Sequence, residues 1–489
     1  MISFVISLFL LVAGYVVYGR IVERVFGPDD RKTPAVSKAD GVDFMVLPGW
    51  KIFMIQFLNI AGTGPIFGAI MGAKFGPAAY FWIVLGCIFA GAVHDYFSGM
   101  LSIRQDGASM PELVGHYLGK RAKTLLLVFS LVVLLMVGAV FVFSPALILG
   151  NMTGGTQTSI MLWVAVIFCY YGLATMLPID KIIGRIYPLF AFALLFMAVA
   201  LMAVLFVKWP SLPEVWQMAE VKPLTAQPIF PCLFITIACG AVSGFHATQS
   251  PLMARCLDSE RKGRPIFYGS MITEGIVALI WATVASWFFY DGGAAEVGST
   301  LEAQAPEVVT AVSKGWLGVF GGILAMLGVV AAPITSGDTA LRSARLILAD
   351  FCHLDQHPIR NRLLISLPLF GIAALLLWYN VADKDGFNTI WSYFGWSNQT
   401  LSCFMLWTST VYLARRRGYS YLIALLPALF MTMVCTTFIC TSKIGFSLSL
   451  PLSVGIGIGM AVIALCWFVL WKRRTEKVSE SRLRTDRNI

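Results

Sequence analysis

The sequence predicts an all-α polytopic membrane protein of about 13 transmembrane helices, arranged as a five-plus-five inverted repeat with one extra helix before it and two after it. Three observations carry that prediction. Hydrophobic residues make up 58% of the 489 and charged residues only 13%, with a mean hydropathy of +0.78; a water-soluble fold cannot hide that much apolar surface. Two apolar spans are interrupted by helix-breaking residues, at Asn59-Ile60-Ala61-Gly62-Thr63-Gly64-Pro65 and again from Ala238 to Pro251. When the spans are threaded in order, 30 of the 36 Lys and Arg residues fall on one side of the membrane.

The net charge of +10 does not point to nucleic acid, because the basic residues sit in short loops rather than on one folded face. The ten cysteines lie mostly within apolar spans without metal-type CxxC pairing, which makes them packing residues. The first segment, from Ile2 to Phe26, lacks a basic start and a small-residue cleavage site and is too long for a signal-peptide core, so it is expected to be retained.

Hydropathy places the spans at about 2–26, 51–72, 77–103, 123–149, 158–178, 183–207, 228–252, 266–290, 316–340, 362–380, 388–413, 420–441 and 449–471. With the N-terminus outside, only Lys74, Lys208, Lys222, Lys314, Lys384 and Lys443 are external. The expected location is therefore the cell (inner or cytoplasmic) membrane, N-terminus outside and C-terminus cytoplasmic. The acidic segment 291–307 falls outside, as that orientation requires.

One transmembrane transporter domain then covers 1–471. Residues 1–50 form an extra helix and a cytoplasmic loop, 51–207 the first repeat, 228–413 the second, and 420–471 two peripheral helices. A basic tail, 472–489, follows and is expected to be disordered. The broken spans head the two halves and enter from opposite sides, which is what an inverted repeat requires. No residue-level repeat accompanies it.

Lipid offers no partner to the N–H and C=O groups that a broken helix frees, so a break survives only inside protein or beside a polar cavity. At the first break, Gly62, Gly64, Gly68 and Gly72 would also serve as a close-packing stripe. The proline and the matching second break favour a binding site at Ala61, Gly62, Thr63 and Gly64. In the second break Ser243, Gly244, His246, Thr248 and Gln249 offer hydrogen-bonding groups; His246 is either a packed histidine or a proton-sensitive contact. Asn398 and Gln399 are too polar to face lipid and are expected to line the path.

An intramembrane carboxylate is expensive, which makes Asp338 functional by default. With Thr335, Ser336, Thr339 and carbonyls of Ala61 or Gly62 it would complete a Na+ shell, or it would carry a proton; a structural pair with Arg342 is the plainer alternative. His94, Asp95 and Glu274 are assigned gating or structural roles, with Asp95 near an interface and Glu274 shallow on the cytoplasmic side. No G-x-S-x-G, H-E-x-x-H or G-x-x-x-x-G-K-[ST] motif occurs, so hydrolysis and nucleotide-driven pumping lack support and the chain is not expected to be an enzyme.

Several runs carry a resemblance: Gly62-Thr63-Gly64-Pro65, Phe89 to Asp95, Arg104 to Ser109, Ser243-Gly244-Phe245-His246, Glu274, Thr335-x-x-Asp338-x-x-x-Arg342-x-x-Arg345 and Phe394 to Gln399. In this order they resemble the carbon starvation protein A (CstA) family, in a short form that carries His94 where the family often has glutamine. The resemblance implies a LeuT-type version of the inverted repeat and uptake of pyruvate or peptides. The expected function is a secondary active importer of a small carboxylated nutrient, pyruvate or a similar monocarboxylate, by H+ or Na+ symport. A peptide or amino-acid importer of the same fold, a membrane nutrient sensor or receptor, and a passive channel are the alternatives. No cofactor and no nucleic-acid partner are expected; the partners are a small-molecule substrate and the lipid bilayer, with oligomeric state open.

Overall fold

A computed structural model describes residues 1–41, 43–176, 183–356, 358–382, 386–416 and 418–486, and every regular element among them is helical. Among the described residues, ten helices are long and apolar enough to cross a membrane, or eleven if Gly49–Ala61 and Gly64–Ala73, bent by 53°, count as one span. Two of the thirteen expected spans fall outside that set for physical reasons. The 228–252 span is two short helices, Ile229–Thr236 and Gly244–Ala254, and neither alone reaches membrane length. The 388–413 span lies within Gly386–Ala414, which is long enough but diluted by its polar residues. Lys181, Lys384, Arg417 and Arg487 lie outside the described residues. The expected disordered tail instead continues the last helix, Leu450–Asp486.

Burial sorts the helices into a centre and a rim. Within the apolar core of Glu260–Tyr290, 89% of residues are buried, against 17% for Leu450–Thr475. The rim helices turn Phe9, Leu173, Leu367 and Trp467 outward, as a lipid-facing surface must.

Both breaks have local causes. Gly62 takes φ +39°, ψ −144°, a conformation open to glycine and closed to almost every L side chain. The chain then restarts as a π-helical turn, Gly64–Gly68, with Pro65 in its first turn, where a missing N–H costs nothing. In the second break Ile229–Thr236 ends, residues up to Ser243 are non-helical, and Gly244–Ala254 begins from an extended Ser243. The two broken helices lie directly against each other. A Cβ on Gly64 would stand 2.3 Å from Cys239 Sγ, one on Gly68 2.7 Å from the Thr236 carbonyl, and one on Gly72 2.3 Å from Ile237 Cγ1. The glycine stripe is thus a packing surface and the lower part of a helix break at once.

The loops sort into two ends. At one, Arg104 binds Glu260 and the Gly27 carbonyl, Arg261 pairs with Asp30, and Arg416 donates to the Val25 and Phe26 carbonyls. At the other, Met1 pairs with Glu214, Lys208 with Glu296, and Tyr290 donates to the Lys74 carbonyl. Segments that the charge count put on one side meet one another in space.

A strap seals the basic end. Met45 N donates to the Arg255 carbonyl at 3.2 Å and Leu47 N to the Cys256 carbonyl at 3.1 Å. Asp43, on the same strap, stands 3.9 Å from Arg342 and 3.8 Å from Arg345, all three buried. A cavity of about 730 Å³ opens beside it, lined by Asp43, Gln105, Arg255 and Asp350 among others.

Candidate functional site

The sequence-predicted binding and ion-coupling residues are all buried, so their polar atoms must be paired inside the protein. At the second break the pairing comes from Asn398. Its side-chain oxygen accepts from Ser243 Oγ at 3.1 Å and from the Phe245 backbone N–H at 2.7 Å, capping the Gly244–Ala254 half-helix from a neighbouring helix. The approach demands Gly244, whose Cβ would lie 2.3 Å from Ser402 N and 2.4 Å from the Asn398 carbonyl. One residue on, Gln399 Nε2 donates to the Phe234 carbonyl at 3.0 Å, satisfying an acceptor freed by the break. Asn398 and Gln399 therefore hold the break open.

Around this frame several buried polar atoms have no partner among the described residues: both side-chain atoms of Asn59, Thr63 Oγ1, and the Oε1 atoms of Gln56, Gln249 and Gln399. An orphan of this kind costs about 1–3 kcal/mol when nothing pairs with it. Gln56 Nε2 donates to Ser250 Oγ at 3.4 Å and so bridges the first broken helix and the second, while Gln249 Nε2 donates to its neighbour Thr248 Oγ1 at 2.9 Å. Gln56 and Asn59 were missed by sequence reasoning. The available signal was two amides one turn apart inside an apolar span.

The second constellation is a histidine held between two acids. His246 Nδ1 lies 2.9 Å from Asp95 Oδ2, Asp95 Oδ1 lies 2.8 Å from His94 Nδ1, and His246 Nε2 lies 3.5 Å from Glu274 Oε2. All four residues are fully buried. This corrects the interfacial placement of Asp95 and the shallow placement of Glu274. Asp95 stands nine residues before the helix end at Arg104, about 13 Å along the axis, and Glu274 ten residues beyond Arg264, about 15 Å. Lys443, by contrast, is exposed in a turn after Thr441, as expected.

The third constellation centres on Asp338. Its Oδ2 accepts from the Tyr187 hydroxyl at 2.5 Å, and that hydroxyl also stands 3.2 Å from the Thr335 carbonyl. Asp338 Oδ1 has no hydrogen-bond partner among the described residues. Thr335 Oγ1 turns its hydrogen toward the Ala331 and Ala332 carbonyls, both at 2.9 Å, and Thr339 toward those of Thr335 and Ser336. Ser336 Oγ donates to the Leu58 carbonyl at 3.1 Å and lies 3.5 Å from where a Gly62 Cβ would be. The link from this group to the first break therefore runs through Ser336, with Ala61 buried at the end of the helix. Arg342 donates to the Ala174 carbonyl at 2.6 Å and stands 3.9 Å from Asp43. Tyr187 had no signature in the sequence, because only the fold brings it 151 positions to Asp338.

Comparison with known proteins adds three findings. The chain matches the carbon starvation protein CstA family over residues 1–162, 145–319 and 300–438. It is 47% identical over 339 residues to an uncharacterized membrane protein of Haemophilus influenzae, covering 59% of this chain and 91% of that one. It is 26% identical over 492 residues to the peptide transporter CstA of Bacillus subtilis, covering 81% and 82%, and 25% identical over 574 residues to that of Escherichia coli, covering 90% and 82%. Among solved structures, a manganese transporter of Eremococcus coleocola in complex with an aromatic bis-isothiourea substituted compound superposes with a TM-score of 0.58 at 12% identity, over 89% of this chain and 99% of that one. That likeness is one of fold. A multi-pass helical membrane protein with a transporter fold, this chain belongs to the carbon starvation protein CstA family.

Proposed function

We propose that the protein is a secondary active importer that works by alternating access. The observation that carries the reading is the meeting of two broken helices, with unpartnered buried amide groups on both and an unpartnered Thr63 hydroxyl on the first. Half-helix N-termini present N–H groups and the positive end of the helix dipole to anionic groups, and freed carbonyls suit cations. The substrate is a small carboxylated nutrient bound between residues 61–64 and 243–249. Pyruvate or a similar monocarboxylate is the first choice. Asp338, with Thr335, Ser336 and Thr339, holds the coupling H+ or Na+. In this reading the thirteen spans form a LeuT-type repeat in the cytoplasmic membrane with the N-terminus outside, and the strapped basic end is the cytoplasmic gate.

A peptide importer of the same fold is the second reading, and the names of the Bacillus subtilis and Escherichia coli relatives favour it equally. Proteoliposomes separate the two. Labelled pyruvate or a labelled dipeptide is offered under an inward proton gradient or an inward sodium gradient. Accumulation above equilibrium is expected for one substrate class with one ion, and an ionophore should abolish it. Flux that only equilibrates under both gradients would overturn symport in favour of a passive path.

A further inference from the structure

Overlapping the candidate substrate site at His246 is a cluster of different chemistry. Cys239 Sγ, a ring nitrogen of His246 and a Glu274 carboxylate oxygen all lie within 4.8 Å of one another, and all three residues are buried; His246 Nε2 is 3.5 Å from Glu274 Oε2. His246 Nε2 and both Glu274 oxygens have no hydrogen-bond partner among the described residues, which leaves ligand atoms of both side chains uncommitted. We infer that this cluster is a binding site for one borderline-soft divalent transition-metal ion of the Zn2+ type, with Cys239, His246 and Glu274 as ligands.

The donor set selects the ion class. Thiolate and imidazole suit zinc and its neighbours in the first transition row, whereas Na+, Mg2+ and Ca2+ take oxygen shells such as the one around Asp338. The distances are close to what a tetrahedral site needs. Ligands held at about 2.0–2.3 Å from a metal stand roughly 3.3–3.7 Å apart, and His246 Nε2 and Glu274 Oε2 are already 3.5 Å apart. Cys239 Sγ must close by about 1 Å at most. It sits in the non-helical stretch before Ser243, and its present contacts, Ser243 Oγ at 3.5 Å and Asn398 Nδ2 at 3.8 Å, are weak ones to exchange.

The surroundings resemble those of metal sites. A ligating histidine almost always gives its other ring nitrogen to a carboxylate or carbonyl, which fixes the tautomer. Here Asp95 accepts from His246 Nδ1, and its second oxygen is held by His94. Nε2 is thereby left with its lone pair toward Glu274 and Cys239. Binding releases the thiol proton and any proton shared between His246 and Glu274, and the thiolate and carboxylate then neutralise the two charges of the ion. Three protein ligands leave a fourth position for water or a ligand atom. The bound ion would tie the unwound part of the second break to the Gly269–Tyr290 helix.

The test uses the full chain in detergent micelles, with no gradient, so its outcome is independent of the transport reading. Titration with Co2+ should show one ion per chain and a thiolate-to-cobalt charge-transfer band that Zn2+ displaces. Cys239→Ser should remove the band, while Cys169→Ser, at an exposed thiol, should keep it. His246→Asn and Glu274→Gln should each weaken binding at least about tenfold, and Asp95→Asn about 10–100-fold. X-ray absorption at the zinc edge of the wild-type chain needs no variant, and should show one sulfur among nitrogen and oxygen neighbours. A shell without sulfur, or a charge-transfer band that survives Cys239→Ser, would overturn the assignment and leave the cluster as a proton-sharing hydrogen-bond network.

Discussion

Asp338 shows what a single buried side chain demands. Its carboxylate is fully enclosed, one oxygen held by Tyr187 and the other without a hydrogen-bond partner among the described residues. If it binds the coupling ion, Asp338→Asn keeps the shape and removes the charge. Uptake against a gradient should vanish while expression and folding remain, as read by labelled uptake and by the elution profile in detergent. Tyr187→Phe removes only the hydrogen bond and should lower concentrative uptake about tenfold, the scale of one charge-assisted hydrogen bond. Normal accumulation by Asp338→Asn would move ion coupling elsewhere. At this scale the sequence was partly legible. An aspartate in an apolar span stands out by composition alone, but its partner does not. The depth of Asp95 and Glu274 was misjudged because hydropathy locates where an apolar run ends, and both acids sit well inside helices that run on past them. Asn398 stands out by its polarity; that it caps a helix from outside depends on a tertiary contact that no local pattern encodes.

Among the elements, the two broken helices were the most legible feature, since glycine and proline act on the backbone locally and lipid punishes the result. Their mutual packing was not, because the stripe Gly64, Gly68, Gly72 says that something comes close without saying what. The structure names the partner as the stretch from Thr236 to Cys239. A double-mutant cycle measures that contact. Gly72→Ala would drive a methyl group into Ile237 Cγ1 and Cδ1, at 2.3 and 2.4 Å, and should destabilise by about 1–3 kcal/mol. Ile237→Ala removes those two atoms, so the double variant should be more stable than the sum of the two single losses predicts. Strict additivity in thermal unfolding would show that the two helices do not share this contact.

For the molecule as a whole, the sorting of charge was the strongest sequence signal, and the loop contacts agree with its division into two ends. Which end faces the cell interior is open to direct measurement. On a background in which exposed Cys169, Cys352 and Cys466 are replaced by serine, Lys222→Cys should react with a membrane-impermeant maleimide in intact cells. Lys120→Cys should react only after permeabilisation, and the reverse pattern would invert the assignment. The span count was less legible than the charge. A broken or polar helix, such as Gly386–Ala414, is held in place by its neighbours rather than by its own hydropathy.

The strap at the basic end bears on how many parts of this machine can move independently. Met45 and Leu47 are tied to Arg255 and Cys256, which follow directly on the Gly244–Ala254 half-helix, and Gly49 opens the other broken helix only two residues after Leu47. Between those anchors there is no slack: a few covalent bonds and two hydrogen bonds join the ends of both half-helices. Tilting one without the other must break those hydrogen bonds, at about 1 kcal/mol each, so the two half-helices are biased to move as a pair, like two oars lashed at the handle.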